Sequence, residues 1–564
     1  MDSVLPLTNL KKLVSVEKLA LAAIAIAILL RIVNLGSREF WYDEVLSLLL
    51  SNGHNGSYST PKDLPVLLAD YTSLLQLPLE SSLSELISTF KKLILNLLNG
   101  EPHPPIFFLS QHLWLRLFGN SEPAMRSLNL LFSIAAIFSS YSLGKVLLNH
   151  RSGLLLAAFI AVNPFYLFHS LNVRMYAPLV LWTSLSAVAL IHIINHQQTE
   201  PTTKNLQHRL VLNILFVTAV AAGLLTFYLY AYWVITLTIL VIYLDRKHWW
   251  QHGLRLATAV MITIPWFLWG GIKQFRNADL NRFAAKQGII TAFFNHLQDF
   301  FYALGTNILV GDWVTRLPVI SVAAFGVLVV VFMLICSLHL WHKNEQQNLF
   351  TSVILGISPL LLSLAVDILT KKNTLGFGWG RTTIIILPGC LLLFVVWLEQ
   401  AVSQEKRTIV AASLLILYLG IGISDFSLRQ RTIFHQIANV VTQENNHSTL
   451  IAMNSKAWGH VMRLAYYIPP QLPVMLLADS PNKLADSLAN ILNDEKNQYQ
   501  RVIWLDSADP VWSRLKTAAE IQTAQQNIQQ VLSPKFNLQQ TQNLRGTMEI
   551  DDFTLKLYTH SNHK

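Results

Sequence analysis

Long apolar stretches separated by short polar breaks run through the first 423 positions. Eleven of them can cross the roughly 30 Å of a bilayer's hydrocarbon as helices. They are Leu19–Leu35, Ser127–Leu148, Gly153–Phe168, Pro178–Ile194, Leu210–Thr226, Leu229–Leu244, Leu254–Gly271, Pro318–Leu340, Leu349–Leu369, Thr382–Leu398 and Ile409–Ile423. Lys11, Lys12 and Lys18 precede the first, and no Ala-x-Ala-like cleavage site follows it, so it reads as a retained helix with a cytoplasmic N-terminus. Pro104–Phe118 is apolar but contains Gln111, His112 and Arg116 in a stretch short for a span; the pattern predicts an amphipathic helix on the membrane surface. Leu83, Leu86, Ile87, Phe90, Ile94, Leu97 and Leu98 recur at helical spacing and predict a second such helix.

Beyond the last span the pattern changes. Short apolar strands at Leu450–Met453, Val474–Leu477 and Val502–Leu505 alternate with helical stretches such as Asn482–Leu492. This β-α-β rhythm predicts a small α/β domain. The expected fold class is a polytopic α-helical membrane protein of about eleven transmembrane helices, with the α/β domain at its C-terminus. The expected division is 1–424 for the membrane module, with a long outer loop over 36–126, and 425–564 for the domain. With eleven spans, that domain lies outside the cytoplasm.

Composition agrees: 52% of residues are hydrophobic and 13% charged, which excludes a soluble globular enzyme and a disordered chain. The net charge of +10 resides in the membrane half, where basic loops orient spans, and is no signal for nucleic acid. Cys336 and Cys390 lie inside apolar runs, with no disulfide or zinc pattern.

Several polar residues stand where spans meet loops. Asp43 and Glu44 follow Phe40, Trp41 and Tyr42 just after the first helix. The aromatics are expected to seat at the membrane interface. Adjacent carboxylates there read either as solvated acids at a helix end or as a general base held at the surface, and they can hold a divalent ion through water. His103 in Glu101-Pro-His-Pro-Pro, Arg126, Arg174 and Tyr176 in Arg-Met-Tyr, Tyr230 in an aromatic turn, and Lys371, Lys372 and Arg381 around Gly376-Phe-Gly-Trp-Gly380 complete the set. The lone arginines also read as interface anchors. The glycines shape a tight re-entry; no strand precedes them, so they are no nucleotide loop. Asp506 and Asp509 read as a strand-end turn. Only Asp367 stands out as a charge inside a span. On this topology the acidic pair and the cations share one membrane face and can hold an anionic head group while deprotonating a hydroxyl.

In this order, over Leu19 to Ile423, these segments resemble family 39 glycosyltransferases of the C-type membrane fold. Relatives are the protein O-mannosyltransferases and the bacterial aminoarabinose lipid A transferases. The resemblance implies that Asp43 is the catalytic base, with Glu44 beside it, and that the donor is a sugar on a polyprenyl phosphate. It also implies that the first-loop helices cap the cavity. The acceptor is a lipid, glycan or protein hydroxyl. The implied setting is the bacterial inner membrane, with the active site and C-terminal domain facing the periplasm. Asn172 and the Tyr228-Leu229-Tyr230 turn depart from the family's acid and its Thr-His-Tyr. In the expected reaction, which inverts the sugar, His103, Arg126, Arg174, Tyr176, Tyr230, Lys371 and Arg381 bind substrate. Arg174 and Arg381 are the first choices for the phosphate. Competing classes are a multi-pass lipid or sugar transporter and a membrane-anchored binding protein.

Overall fold

The computed structural model describes residues 15–98, 101–197, 203–277, 289–443, 447–494 and 499–561, so that Lys11 and Lys12 lie outside the described residues. The chain divides into two compact units. The first comprises Met1–Leu35, Leu97–Ser110 and Arg126–Ser427; the second comprises Gly36–Asn96, Gln111–Met125 and Leu428–Lys564. Segments of the first long loop thus cluster with the C-terminal region.

Every expected span is helical. Eight helices among the described residues are long and apolar enough to cross a membrane, and His150–Val162 and Tyr230–Leu244 are shorter apolar helices. The first helix, Val16–Val33, carries Glu17, Lys18 and Arg31. Burial sorts these helices. Val319–His342 buries only Val322, Gly326, Val329, Met333, Cys336 and Leu340, a stripe at spacings of three and four. Many of its other positions are exposed apolar residues such as Ile320 and Leu328, the surface that lipid covers. By contrast 83% of the apolar window is buried in both Tyr176–His196 and Arg381–Gln400, which form the interior. There Gln346–Thr370 meets Leu387–Gln400 backbone to backbone: a Cβ on Gly356 would stand 2.7 Å from the Cys390 amide nitrogen, the close approach that small residues permit in membranes.

Two sequence readings are corrected. Gly153–Phe168 is not one helix: it breaks at Asn163, whose side chain accepts from the Tyr166 amide at 2.9 Å and caps a new helix, Pro164–His169. A second span carries a charge that was passed over. Arg31 is fully buried, with Nη1 2.8 Å from the Ala161 carbonyl and Nε 2.9 Å from Ser170 Oγ.

The second unit contains the expected α/β domain. Its strands are β1 (Val66–Leu67), β2 (Thr449–Met453), β3 (Val474–Ala478), β4 (Arg501–Ser507), β5 (Phe536–Arg545) and β6 (Asp552–His560), in the order β1-β3-β2-β4-β6-β5. The central β3, β2 and β4 run parallel. Such strands are covered on both faces and are therefore apolar throughout; β2 is buried at all five positions. β1 is donated by the first long loop and pairs antiparallel with β3. Leu484, Leu488, Ile491, Ile528 and Leu532, on two helices, pack with Leu450, Val502 and Trp504 into one core cluster.

Candidate functional site

In the second unit Asp43 and Glu44 open the helix Tyr42–Ser51, where acids favour the helix dipole. Their surroundings differ. Glu44 is fully buried; its Oε2 accepts from the Trp41 amide at 2.9 Å and its Oε1 lies 3.8 Å from Arg38. It closes the helix start. Asp43 is only partly buried, and its carbonyl accepts from Ser47 Oγ at 3.0 Å.

The preceding aromatics do not form an interface belt, which corrects the sequence reading. Phe40 and Tyr42 are buried against the helix Trp458–Tyr467. Phe40 packs on Tyr466 at 4.8 Å and its amide donates to Tyr467 Oη. Tyr42 packs on His460 at 5.5 Å and lies so close to Gly459 that a Cβ there would come within 2.6 Å of its ring. Glu39 accepts from the Phe434 amide at 2.7 Å and pairs with Arg463 at 2.9 Å; Arg463 pairs in turn with Asp551. Burial pushes His460 down to about 3, so its neutral ring bridges Ser455 Oγ and the Ile550 carbonyl. The segment carrying Asp43 is therefore moored on the C-terminal part of the same unit.

In the first unit Arg381 is the first residue of the short helix Arg381–Ile386 and is held in place. The loop before it turns through Gly378 at φ 61°, Trp379 at 56° and Gly380 at 75°, left-handed values that glycine adopts without a Cβ penalty. Both ends of the loop are held. Asp367 accepts from the Thr374 and Leu375 amides at 2.7 and 3.0 Å, and Asn307 Nδ2 donates to the Gly380 carbonyl at 3.0 Å. Arg381 Nε donates to Gly378 O at 2.6 Å, and its Cζ lies 5.1 Å from the Trp379 ring and 5.9 Å from the Tyr176 ring, within cation–π range. Gly376 lies against Asp299, where a Cβ would come within 2.5 Å of Oδ1. Burial, with the Asp367 carboxylate second, raises Asp299 to about 6.

Tyr176 links this loop to the Arg-Met-Tyr segment. Arg174 is 8% exposed, and its carbonyl accepts from Asn129 Nδ2 at 2.9 Å. The Tyr176 ring packs on His169 at 5.4 Å; His169 bonds Asn172 at 2.9 Å and stands 3.3 Å from Asp312. Tyr176 and Arg381 thus belong to one neighbourhood, with Arg174 two residues before Tyr176 in the chain. His103 belongs to another: it pairs with Glu101, stacks on Phe227 at 5.8 Å, and its carbonyl accepts from Gln274 at 2.9 Å. Arg126 is buried and donates to the Leu35 carbonyl at 2.8 Å. Tyr230 is fully buried between helices, its hydroxyl 3.0 Å from the Trp182 carbonyl and 3.1 Å from Ser186 Oγ. Lys371 is exposed at the end of Gln346–Thr370, with φ 53°. Asp299, Asn307, Asp312 and Gln274 escaped the sequence reading, since single polar residues in apolar runs carry no spacing signal. Among the described residues no group of three or more His, Cys, Asp or Glu stands together as a metal-ligand set.

Residues 102–269 match the family model described as dolichyl-phosphate-mannose-protein mannosyltransferase. The match bears out the resemblance to the C-type glycosyltransferases; it includes His103, Arg126, Arg174, Tyr176 and Tyr230. No curated protein matches the chain in sequence. Among solved structures the chain is similar to ArnT from Cupriavidus metallidurans bound to undecaprenyl phosphate, at 12% identity over 96% of this chain and 98% of that one, with a TM-score of 0.39. It is also similar to the Archaeoglobus fulgidus oligosaccharyltransferase in complex with Zn and sulfate, at 11% identity over 86% and 67%, with a TM-score of 0.47.

Proposed function

We propose that the chain transfers a sugar, with inversion, from a polyprenyl-phosphate donor to an acceptor hydroxyl on the outer face of the membrane. The observation that carries this reading is the different fate of two adjacent carboxylates. Glu44 is consumed in holding its helix, whereas Asp43, one residue away, keeps partial access to solvent. Asp43 takes the acceptor proton as the acceptor oxygen attacks the anomeric carbon. The bond from that carbon to the phosphate oxygen breaks on the opposite face. The leaving lipid phosphate is a weak base, so it needs fixed positive charge more than a proton. Arg381 and Arg174 supply it, Arg381 through a fork held by Gly378 and two aromatic rings. The matched family, dolichyl-phosphate-mannose-protein mannosyltransferase, supports the donor class. In this reading 36–126 and the C-terminal domain face the periplasm of a bacterial inner membrane.

The test is to incubate the purified protein with a panel of polyprenyl-phosphate sugars and candidate acceptors and to measure released lipid phosphate. Release with one donor is expected. No release across the panel would sink the proposal.

A further inference from the structure

Arg31 is a buried charge that the transfer reaction leaves unused. It stands in the last turn of the first helix, Val16–Val33. An arginine so near the end of a span ordinarily stretches its stem toward the interface. This one does not, since it is 0% exposed. A charge held inside a span is costly and marks a functional site by default, once its partner is identified.

No carboxylate is that partner. Among the described residues no ion pair joins Arg31 to an acid. Glu17, on the same helix, pairs with Arg151 at 2.8 Å, and Asp312 stands 3.3 Å from His169. The buried Arg463 of the second unit, by contrast, has both Glu39 and Asp551. Arg31 meets neutral oxygens instead. Its Nη1 donates to the Ala27 carbonyl at 3.1 Å and to the Ala161 carbonyl at 2.8 Å, and its Nε donates to Ser170 Oγ at 2.9 Å. Nη2 and the Tyr166 hydroxyl, both buried, have no hydrogen-bond partner among the described residues. A neutral amide would serve such oxygens without the cost of a charge.

What the guanidinium adds is a positive charge with no counter-ion, fixed where the chain turns toward the phosphate-binding arginines. Ser170 caps the helix Pro164–His169. Arg174 follows four residues later, at most about 14 Å along the chain even if extended. His169, next to Ser170, packs on Tyr176, whose ring lies 5.9 Å from Arg381 Cζ. All of these residues belong to the first unit. The Arg31 head is too deeply buried for a ligand to touch. In a low-dielectric interior, however, a charge acts without contact.

We propose that Arg31 is a remote electrostatic residue of the donor site. Its uncompensated charge favours an anionic lipid phosphate over an uncharged lipid with the same chain, without touching the head group. The inference rests on the donor class proposed above. One elementary charge at about 10–15 Å, with an effective dielectric constant of about 20, changes the affinity for one negative charge about five- to twentyfold.

Binding to the full chain in detergent tests it. The probes are undecaprenyl phosphate and undecaprenol, which share the isoprenoid and differ in the phosphate. Arg31→Gln keeps a hydrogen-bond donor and removes the charge. It should lower affinity for the phosphate about five- to twentyfold and leave affinity for the alcohol as it was. Arg31→Met, apolar and of similar reach, serves if Arg31→Gln disturbs the fold, since burying an apolar side chain in place of a charge is usually tolerated. Arg31→Lys keeps the charge and should retain most of the preference for the phosphate. Ser170→Ala removes a neutral partner of Arg31 but no charge, and should leave the preference unchanged; a purely structural role predicts that it falls. Wild-type preference in the neutral variants, Arg31→Lys no better than Arg31→Gln, or Ser170→Ala as damaging as Arg31→Gln would each overturn this proposal and leave the donor reading standing. A wild type that binds neither lipid, or both alike, would overturn both.

Discussion

Arg463→Met removes the guanidinium that Glu39 and Asp551 share and leaves a side chain of similar reach. Arg463 is 2% exposed, lies 2.9 Å from Glu39 and 2.5 Å from Asp551, and stacks 4.0 Å from the Phe434 ring centroid. Removing one partner of a buried ion pair costs about 3–5 kcal/mol, because the remaining charge is left uncompensated. Here two carboxylates lose Arg463, while Glu39 keeps the Phe434 amide and His435. At tenfold per 1.4 kcal/mol, opening of the segment around residues 39–44 should rise about 10²- to 10⁴-fold. Hydrogen exchange followed by mass spectrometry reads this directly. Peptides from Tyr42–Ser51 and Trp458–Tyr467 should exchange faster, those from Tyr176–Gln197 should not, and turnover should fall. The triple variant Glu39→Gln, Arg463→Met, Asp551→Asn leaves no buried unpaired charge and should regain most of the protection. Wild-type exchange in the single variant, or a triple variant as damaged as the single, would refute the mooring.

Asp43→Asn should fold and bind donor yet lose about 10²–10⁴-fold in turnover, the usual share of a general base, whereas Glu44→Gln should lower the melting temperature more than it lowers kcat; near-normal transfer by Asp43→Asn would remove it as the base. Gly376→Ala places a methyl against Asp299 and should displace the Arg381 loop, weakening donor binding in detergent at least about tenfold; Arg381→Lys keeps the charge, loses the fork and should rescue only in part relative to Arg381→Ala. Asp299 lies in Ile289–Gly305, which is not among the membrane-long helices. Its carboxyl is raised to about 6 against about 3.9 unfolded, so the folded state binds the proton more tightly and its contribution to stability falls as pH rises between those values. The melting-temperature difference between wild type and Asp299→Asn should change across that window and be flat above it; a constant difference would dismiss the buried acid.

The membrane helices were legible because an unbroken apolar run has one reading. The break at Asn163 was not, since Asn-Pro within Gly153–Phe168 barely lowers its hydropathy and the cap depends on local geometry. β5 was missed because Phe536–Arg545 alternates little and exposes Gln and Asn along an edge strand. Asp43 was legible as a candidate through its order among other motifs, and Arg381 through the glycines before it. What distinguishes Asp43 from Glu44 was not, because it rests on a back-bond to Trp41 and on Arg38. The mooring lay further from view: Glu39 and Arg463 are 424 positions apart, and no periodicity carries such information.

That distance bears on what the C-terminal segment does. Read as a linear chain, it is a separable appendage, and expressing Asp425–Lys564 alone would be a fair test of an independent binding role. The sheet argues otherwise. β1 comes from the first loop, and the buried Arg463 and the half-buried Tyr467 find Glu39 and Glu122 outside the segment. Excised, the domain would keep Asp551 for Arg463 but lose an edge strand and two carboxylate partners, the buried Glu39 and the half-buried Glu122, each loss exposing or orphaning groups the fold has desolvated. The same contacts explain why a loop some sixty residues long, Gly36–Asn96, presents Asp43 in a defined place. A carboxylate that must meet a hydroxyl within hydrogen-bond reach gains little from a mobile loop. Here the residues just before it, Glu39, Phe40 and Tyr42, are buried against helices of the C-terminal segment, so that segment holds the first loop in shape.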